Sequence, residues 1–447
     1  MSKHFAIFFS ALATIACADA DGSPAVVLGA IIDSTSASSE TSWVSAAQQA
    51  VANMNKALST AASDHPRFAI DVRDSQGSAL GVGPIAAELV RDSGVVAILV
   101  DTNDGIDAAL DQLTRDGTAV PLQCSACLND EFNTLGAGIP DPQGFRFRNV
   151  DGILPLAYVM ASSLRTDGGD RNNDGLLKIS VYTGNNASDD EAFRDLTTAA
   201  GVIFQENQAA SSLVLERVTH RDTDPSRIDY VADIVDLLDN ATASLQGQTL
   251  IDGPPDWIVV ATSPAVHIRF VEAYDAAPSN VPVRHMQNLR RTATLFALDA
   301  LADGQQGVSP ISADGVSGEE FAKDFARDIG YEPAVFAASF YDNAVSLMFA
   351  QLIAEMAGDP SATGLRDALP KTSTIGAARF TASIASLTDA VQTILDGGAI
   401  DYMGASGPVD YDPQRGARSI VARYIVDRDR FSETQLVDCV APGACGR

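Results

Sequence analysis

The chain has 447 residues. Chains of this length usually divide into more than one hydrophobic core, so we expect two lobes. Apolar residues make up 46% of it and charged residues 20%, which is typical of globular proteins and argues against intrinsic disorder. Its 58 acidic residues outnumber the 30 Lys and Arg residues, giving a formal net charge of −28, and we find no basic cluster. Nucleic acid is therefore not an expected partner.

The N-terminus has the features of an export signal. Met1–His4 is a positive start, and Phe5–Ile15 is an apolar run of signal-peptide length, too short to span a bilayer. Thr14–Cys17 resembles a lipobox, in which the cysteine becomes lipidated, whereas Ala18–Ala20 would suit ordinary signal-peptide cleavage. Both alternatives predict an exported protein, periplasmic or at the cell surface. Lipidation of Cys17 would make a lipid anchor its only attachment to the membrane, since no later segment is apolar over 18 residues.

The cysteines fall into two local couples once Cys17 is set aside. Exported proteins usually pair their thiols, so we predict disulfides Cys124–Cys127 and Cys439–Cys445. A redox-active C-x-x-C motif is the alternative for the first couple, but such motifs open a helix after a strand. Here the couple lies between a short apolar stretch and a polar one, which favours a structural disulfide.

From residue 25 onward, short β-branched runs alternate with amphipathic helical patterns. The first series predicts strands at 26–32, 68–72, 95–100 and 120–122 with helices between them. After the Pro/Gly-rich stretch 138–144, a second series predicts strands at 178–182, 213–215, 257–260 and 281–283. Helices follow at 319–329, 334–357 and 362–369, and the chain ends with a β-like segment at 418–426. Such alternation predicts βαβ units and two parallel sheets covered on both faces.

Four stretches of the chain occur in a characteristic order: Ile31–Asn55, Val72–Leu122, Phe145–Asp151, and Tyr341–Ala344 followed by Gly407–Asp412. In this order they resemble the type I periplasmic binding proteins, and within them the branched-chain amino-acid (leucine-binding) receptors of ABC transporters. The set covers nearly all of the chain that follows the export signal.

The resemblance implies an α/β fold in which two Rossmann-like lobes, joined by a three-strand hinge, close on a small solute. We expect a lipoprotein-type signal peptide at 1–17 and a tether at 18–24. The resemblance places lobe one at 25–150 plus 310–406, and lobe two at 151–309 plus 407–447. Independently of any family, ligands of open α/β sheets bind beyond the carboxyl ends of the strands. We therefore expect the solute to contact the loops that follow the strands of the two sheets.

Polar residues in these loops are the candidate ligand-binding residues. In lobe one they are Ser34, Thr35, Thr102, Asn103, Ser125 and Ala126. The crossover and lobe two add Asp151, Tyr182, Asn185, Thr262, Ser263 and His285. Plainer explanations remain open for several of them: Ser34 and Thr35 could cap the next helix, Tyr182 could be a buried strand residue, and His285 could be a satisfied histidine at a strand end.

The charge of the cleft bears on the solute. The resemblance implies a lobe-two acidic residue for an α-ammonium group after the strand near 283, but segment 284–288 holds no carboxylate. Conversely, Asp33, Asp101, Asp104 and Asp151 map near the cleft, which would favour a cationic, amine-bearing or polyol ligand because an anion would be repelled. The alternatives are chance, since Asp is common here, and a helix-capping role for Asp104.

Metal and enzyme motifs are incomplete or missing. Asp170, Asn172 and Asp174 match the first half of a calcium loop, but Val181 stands where the bidentate carboxylate is needed. A polar turn is therefore preferred to weak calcium binding. The sequence has no nucleophile elbow, Walker loop, zinc-protease motif or dinucleotide fingerprint after the first strand. We expect neither an enzyme nor a cofactor.

These expectations describe an extracytoplasmic receptor that binds a small polar solute by domain closure and delivers it to an ABC permease. The solute would be an amino acid or a related amine or amide. The alternative function, of a different class, is an envelope lipoprotein that uses the same fold as a sensor or a protein–protein regulator.

Overall fold

The computed structural model of the chain describes residues 25–35, 40–128, 141, 143–150, 152–171, 176–185, 187–205, 213–222, 224–239, 242–245, 248–251, 254–286, 290, 292–310, 315–409, 411, 419–428 and 430–439.

Lobe one is built on a five-stranded parallel sheet in the order β2-β1-β3-β4-β5. Its strands are β1 (Val26–Ile32), β2 (Phe68–Asp74), β3 (Ile98–Val100), β4 (Leu122–Cys124) and β5 (Arg146–Arg148). The helices between them are α1 (Thr41–Thr60), α2 (Ala79–Glu88, extended by a π-helical turn over Leu89–Ser93) and α3 (Asn103–Asp116). The inner strands are short apolar runs because helices cover both faces of the sheet.

Lobe two is built on a seven-stranded sheet in the order β17-β16-β12-β11-β10-β6-β7. In chain order its elements are α4 (Leu154–Thr166), β6 (Leu177–Thr183), α5 (Ala187–Gln205), β7 (Leu213–Thr219), α6 (Tyr230–Leu238), the hairpin β8 (Thr242–Leu245) and β9 (Gln248–Ile251), β10 (Trp257–Ala261), α7 (Pro264–Asp275), β11 (Val283–His285), α8 (Thr292–Leu298) and β12 (Gln306–Pro310).

The chain then returns to lobe one before it closes the second sheet. The returning elements are α9 (Gly315–Ile329), α10 (Ala337–Met356), α11 (Ala362–Ala368), β13 (Ala378–Phe380), α12 (Ile384–Leu395), β14 (Ile400–Gly404) and β15 (Gly407–Pro408). Strands β16 (Ser419–Asp427) and β17 (Arg430–Cys439) complete the lobe-two sheet. The exact residues that divide the lobes stay a prediction.

The two-lobe α/β fold predicted from the sequence is confirmed, with one difference in the second sheet. Strands β16 and β17 are antiparallel, so this sheet is mixed rather than parallel. The sequence predicted a single final strand because β17 is an edge strand with many exposed polar residues and no apolar run.

Helix α10 forms the centre of lobe one. Nearly all of its residues are buried, and it packs against α1, α11 and α12. A helix that is apolar on every face belongs in the interior, and α10 carries Asp342 and Asn343 into that interior. No helix in the described ranges is both long and apolar enough to cross a membrane.

Candidate functional site

A cavity of about 220 Å³ lies at the carboxyl ends of β1, β2 and β3. Asp33 follows β1, Ser75 follows β2 and Asp101 follows β3, and all three line it. Pro264, the first residue of α7 in lobe two, reaches the same cavity. The cavity therefore lies between the lobes, at the edge where open α/β sheets bind ligands.

A tight turn after β2 presents polar groups to this cavity. The Ser78 N–H donates to the Ser75 carbonyl at 2.9 Å, and the two residues between them have positive φ values of 54° for Gln76 and 69° for Gly77. Gln76 is strained in this region of φ/ψ space, and its N–H donates to Asp74 Oδ1 at 2.9 Å. The turn thus holds Ser75 and Ser78 in place at the cavity wall.

Asp74 also organises the loop after β1. It accepts hydrogen bonds from the Ser34 N–H at 3.0 Å and from the Thr35 hydroxyl at 2.5 Å. Burial alone would raise the pKa of Asp74, but the hydrogen bonds from Thr35, Ser34 and Gln76 lower it below the usual value. The N-cap of α1 is Glu40, so the explanation of Ser34 and Thr35 as helix caps is wrong. Their role toward a solute stays a prediction.

The loop after β3 is shaped by the start of α3. Thr102 is the N-cap of α3, and its hydroxyl accepts from the Gly105 N–H at 3.1 Å. The capping explanation of Asp104 is therefore wrong: Asp104 lies in the first turn and lines the cavity together with Thr102. Asn103 is partly buried, and its Oδ1 accepts no hydrogen bond from the described residues.

Ser125 and Ala126 follow β4 inside the disulfide that joins Cys124 to Cys127. Ser125 is fully buried, and its hydroxyl accepts a hydrogen bond of 2.7 Å from Asn343 Nδ2. Ala126 packs against the main hydrophobic core. The Ser125 hydroxyl is therefore already hydrogen-bonded to another residue of lobe one. Cys17 and Cys445 lie outside the described residues, so lipidation of Cys17 and the Cys439–Cys445 pairing stay predictions.

None of the residues predicted from lobe two is among the described residues that line the cavity, which this lobe reaches through Pro264. Ser263 is exposed at the N-cap of α7 beside Pro264, and Asn185 is exposed after β6. Thr262 is buried, and its hydroxyl lies 3.1 Å from His267 Nδ1. Tyr182 is also buried, and its hydroxyl donates to Asp233 on α6 at 2.7 Å, on the covered face of the sheet.

His285 lies inside lobe two and away from the cavity. It is fully buried, and its Nε2 lies 2.8 Å from Gln305 Oε1. Burial, reinforced by His267, lowers the pKa of His285 to about 3, so the ring is neutral at pH 7. The explanation of a satisfied histidine at a strand end therefore holds for Nε2 only, because the buried Nδ1 has no hydrogen-bond partner among the described residues. Asp151, Asn172 and Asp174 lie outside the described residues, so the preference for a polar turn over weak calcium binding stays a prediction.

Seven residues that line the cavity were not predicted from the sequence: Trp43, Ser75, Gly77, Ser78, Ala79, Val82 and Pro264. The apolar helical pattern of α1 predicts Trp43 as a core residue, and its ring stacks on Phe340 with the ring centroids 5.1 Å apart. Ser75 had a usable signal, because it directly follows a strand that ends at the same sheet edge as β1 and β3. Pro264 had none, because only the juxtaposition of the lobes brings it there.

No family model and no curated protein matches the sequence. Solved structures do match the fold. A leucine-binding protein from Thermotoga maritima is 15% identical with a TM-score of 0.67, over 93% of this chain and 99% of that one. A branched-chain amino-acid transporter substrate-binding protein from Streptococcus pneumoniae, in complex with isoleucine, is 17% identical with a TM-score of 0.63, over 93% and 99%.

A solute-binding protein of an ABC transporter from R. palustris, in complex with benzoate, is 13% identical with a TM-score of 0.64. The match covers 92% of this chain and 96% of that one. At these identities the likeness concerns the fold. This chain therefore has the two-lobe fold of the type I periplasmic binding proteins.

Proposed function

We propose that this chain is an extracytoplasmic solute-binding protein of an ABC transporter rather than an enzyme. It binds a small polar solute in the cavity between the lobes and closes on it, and the closed form docks on a permease. The proposal includes export and a lipid anchor at Cys17, and a family relationship to the leucine-binding receptors.

One observation carries the proposal: the cavity has walls from both lobes. Asp33, Ser75 and Asp101 come from the strand ends of lobe one, and Pro264 comes from lobe two. A solute held there contacts both lobes only when they are close together. Its binding therefore favours the closed form, which is how a ligand shifts such an equilibrium.

The cavity size supports a metabolite rather than a large ligand. Its volume of about 220 Å³ is below the roughly 300–1,000 Å³ that is typical of sites for drug-sized molecules. The similar proteins named above include ones with isoleucine and benzoate bound, which are solutes of this size class.

A thermal-shift screen of the purified full chain against amino acids, amines, amides, aromatic acids, sugars and nucleosides tests the proposal. A solute at 100 times its Kd should stabilise the protein by about 2.7 kcal/mol, and calorimetry should then give saturable binding to one site. Ser78→Trp, at the cavity wall, should abolish binding. Leu80→Trp, two residues further along at the start of α2, is the control, because Leu80 is 90% exposed. A folded protein that binds nothing in this panel would contradict the proposal.

The second candidate is an envelope lipoprotein in which the same fold contacts another protein. The observation that favours it is that two predicted ligand residues of lobe two contact their own lobe instead. Tyr182 is hydrogen-bonded to Asp233, and His285 to Gln305. This candidate would be supported if no solute of the screen bound and if an envelope protein bound this chain in a saturable manner.

A further inference from the structure

Three carboxylates face the cavity between the lobes. Asp33 and Asp101 follow the neighbouring strands β1 and β3, and the Asp33 N–H donates to Asp101 Oδ2 at 2.7 Å, which fixes these residues beside each other. Both are buried, with 6% and 3% of their surface exposed. Asp104 adds an exposed carboxylate from the first turn of α3. No lysine or arginine is among the described residues that line the cavity.

The side chain of Ser75 provides a second, independent sign of a ligand. Ser75 lines the cavity with only 5% of its surface exposed. Its backbone N–H and carbonyl are paired with Ile32 and Ser78, but its hydroxyl makes no hydrogen bond to the described residues. A hydroxyl that lines the cavity without a protein partner is available to hydrogen-bond a polar group of a bound solute.

We propose, on the basis of the solute-binding function proposed above, that the solute is a small organic cation with an ammonium or guanidinium group. A cation between Asp33, Asp101 and Asp104 is attracted by three carboxylates at once, whereas an anion at the same place is repelled by them. Trp43 supplies an aromatic wall, which also suits a cation. The net charge of −28 attracts cations from a distance.

Helix α3 begins at this cavity, and a helix N-terminus could instead attract an anion. Here the first turn is already occupied by the protein's own groups. Thr102 accepts from the Gly105 N–H through its hydroxyl and from the Ile106 N–H through its carbonyl. Asp104 places a carboxylate in the same turn and offsets the helix dipole. The start of α3 therefore does not favour an anionic solute.

Calorimetry on the purified full chain with charge-matched probes tests the inference. The cations are putrescine, agmatine and choline; 1,4-butanediol is the neutral match for putrescine; leucine and benzoate represent zwitterions and anions. We expect at least one cation to bind at least about tenfold more tightly than any neutral or anionic probe. Its Kd should rise with salt, because ionic attraction between partly exposed groups is screened.

Two variants and a matched control locate the charge effect. Asp101→Asn should weaken binding of the cation by about tenfold or more, because it removes a buried charge. Asp104→Asn, at an exposed position that is safe for folding, should weaken it by a few-fold. Asp64→Asn removes the same charge from an exposed position just before β2, at the opposite edge of the sheet, and should leave the Kd unchanged.

The outcomes separate this inference from the proposed function. If leucine, benzoate or a neutral solute binds in the cavity and the Asp variants do not weaken it, the inference is overturned and the receptor function stands. If no solute of either panel binds to the folded protein, both are overturned. Cation binding that falls in Asp101→Asn and Asp104→Asn, but not in Asp64→Asn, supports both.

Discussion

Asp342 on α10 accepts hydrogen bonds from both the backbone N–H of Ser406, at 2.6 Å, and its hydroxyl, at 2.5 Å. The Tyr402 hydroxyl and the Ala405 N–H donate to the same carboxylate, each at 2.8 Å. Ser406 lies in the turn between β14 and β15, after which the chain passes to β16 in lobe two. One buried carboxylate in lobe one therefore fixes the start of a connection between the lobes.

The buried position of Asp342 predicts a pH-dependent effect of Asp342→Asn on stability. Burial raises the pKa of Asp342 to about 6, against an ordinary value of 3.8. The folded state then holds a proton between these values that the unfolded state releases. The stabilisation from this group is thus complete below pH 3.8 and is lost as the pH rises through 6. Asp342→Asn, which cannot titrate, should cost up to about 3 kcal/mol more at pH 4 than at pH 7.

Urea unfolding of both proteins from pH 4 to pH 7 measures this difference. Asp389→Asn, on the exposed part of α12, serves as a charge-matched control in the same lobe. A cost of Asp342→Asn that is the same at every pH would show that the carboxylate stays ionised in the folded protein throughout this range.

Gly404 allows the approach of Asp342 to this turn. A Cβ at position 404 would lie 2.3 Å from the Asp342 carboxylate carbon, a distance that requires the carboxylate or the turn to move. Gly404→Ala should therefore destabilise the protein by about 2 kcal/mol or more through lost hydrogen bonds. Gly201→Ala is the control: nothing lies within 4 Å of a Cβ there, and helix propensity predicts a gain of up to about 1 kcal/mol. Thermal unfolding of both variants measures the contrast.

The fold was predictable because its signals are local and repeated. The alternation of apolar runs with helical patterns gives βαβ units, and β1 and β6 lie where their Val- and Ile-containing runs indicate. Strands β13, β14 and β15 escaped prediction because they are short, whereas the 12-residue helix α12 was missed although its apolar residues recur at helical spacing. The hairpin β8–β9 escaped because its residues lack an alternating apolar pattern.

Asn343 predicts a measurable coupling with the disulfide loop. Its Nδ2 donates to the buried Ser125 hydroxyl at 2.7 Å, and its Oδ1 accepts from Tyr411 at 3.2 Å. Asn343→Ala and Ser125→Ala should each cost about 1–3 kcal/mol, since each leaves a buried partner unpaired. The double variant should show a coupling of about 1 kcal/mol. A cycle of Ser125→Ala with Asn55→Ala, residues that share no partner, should be additive within about 0.5 kcal/mol.

The sequence predicts which residues lie at the strand ends, and therefore near the cavity. It does not predict the direction in which their side chains point. Asp33, Asp101 and Asp104 line the cavity, as their positions after β1 and β3 suggested. Tyr182 is one residue from the end of β6, yet its side chain points to α6 because successive strand residues face opposite sides. A sequence pattern gives that alternation without showing which face is covered by a helix.

The Cys124–Cys127 disulfide predicts a modest contribution to stability. It closes a loop of only four residues, with a sequence separation of 3. The chain-entropy relation then gives about 2 kcal/mol for a loop of this length, near the lower end for disulfides. Cys124→Ser with Cys127→Ser should lower the free energy of unfolding by that amount under oxidising conditions. A reductant should lower the stability of the native protein by more than that of the double variant, which keeps only the predicted Cys439–Cys445 pair.

His285 predicts part of the acid sensitivity of lobe two. Burial lowers its pKa to about 3 from 6.5, and His267, with its ring centroid 5.5 Å away, and Arg284 act in the same direction. Between these pH values the unfolded state binds a proton that the folded state does not. The stability due to this group is therefore complete above pH 6.5 and falls as the pH drops toward 3, by up to about 5 kcal/mol. This slope is opposite in sign to that of Asp342.

His285→Gln removes the titrating ring and keeps a polar group beside Gln305. It should lower stability at pH 7, because a well-packed ring is lost, and it should flatten the decline between pH 6.5 and pH 4. Urea unfolding at half-unit pH steps measures both effects. A variant whose stability falls with acid as steeply as that of the native protein would mean that His285 is protonated in the folded state, with Gln305 and a rearranged His267 accommodating the charge.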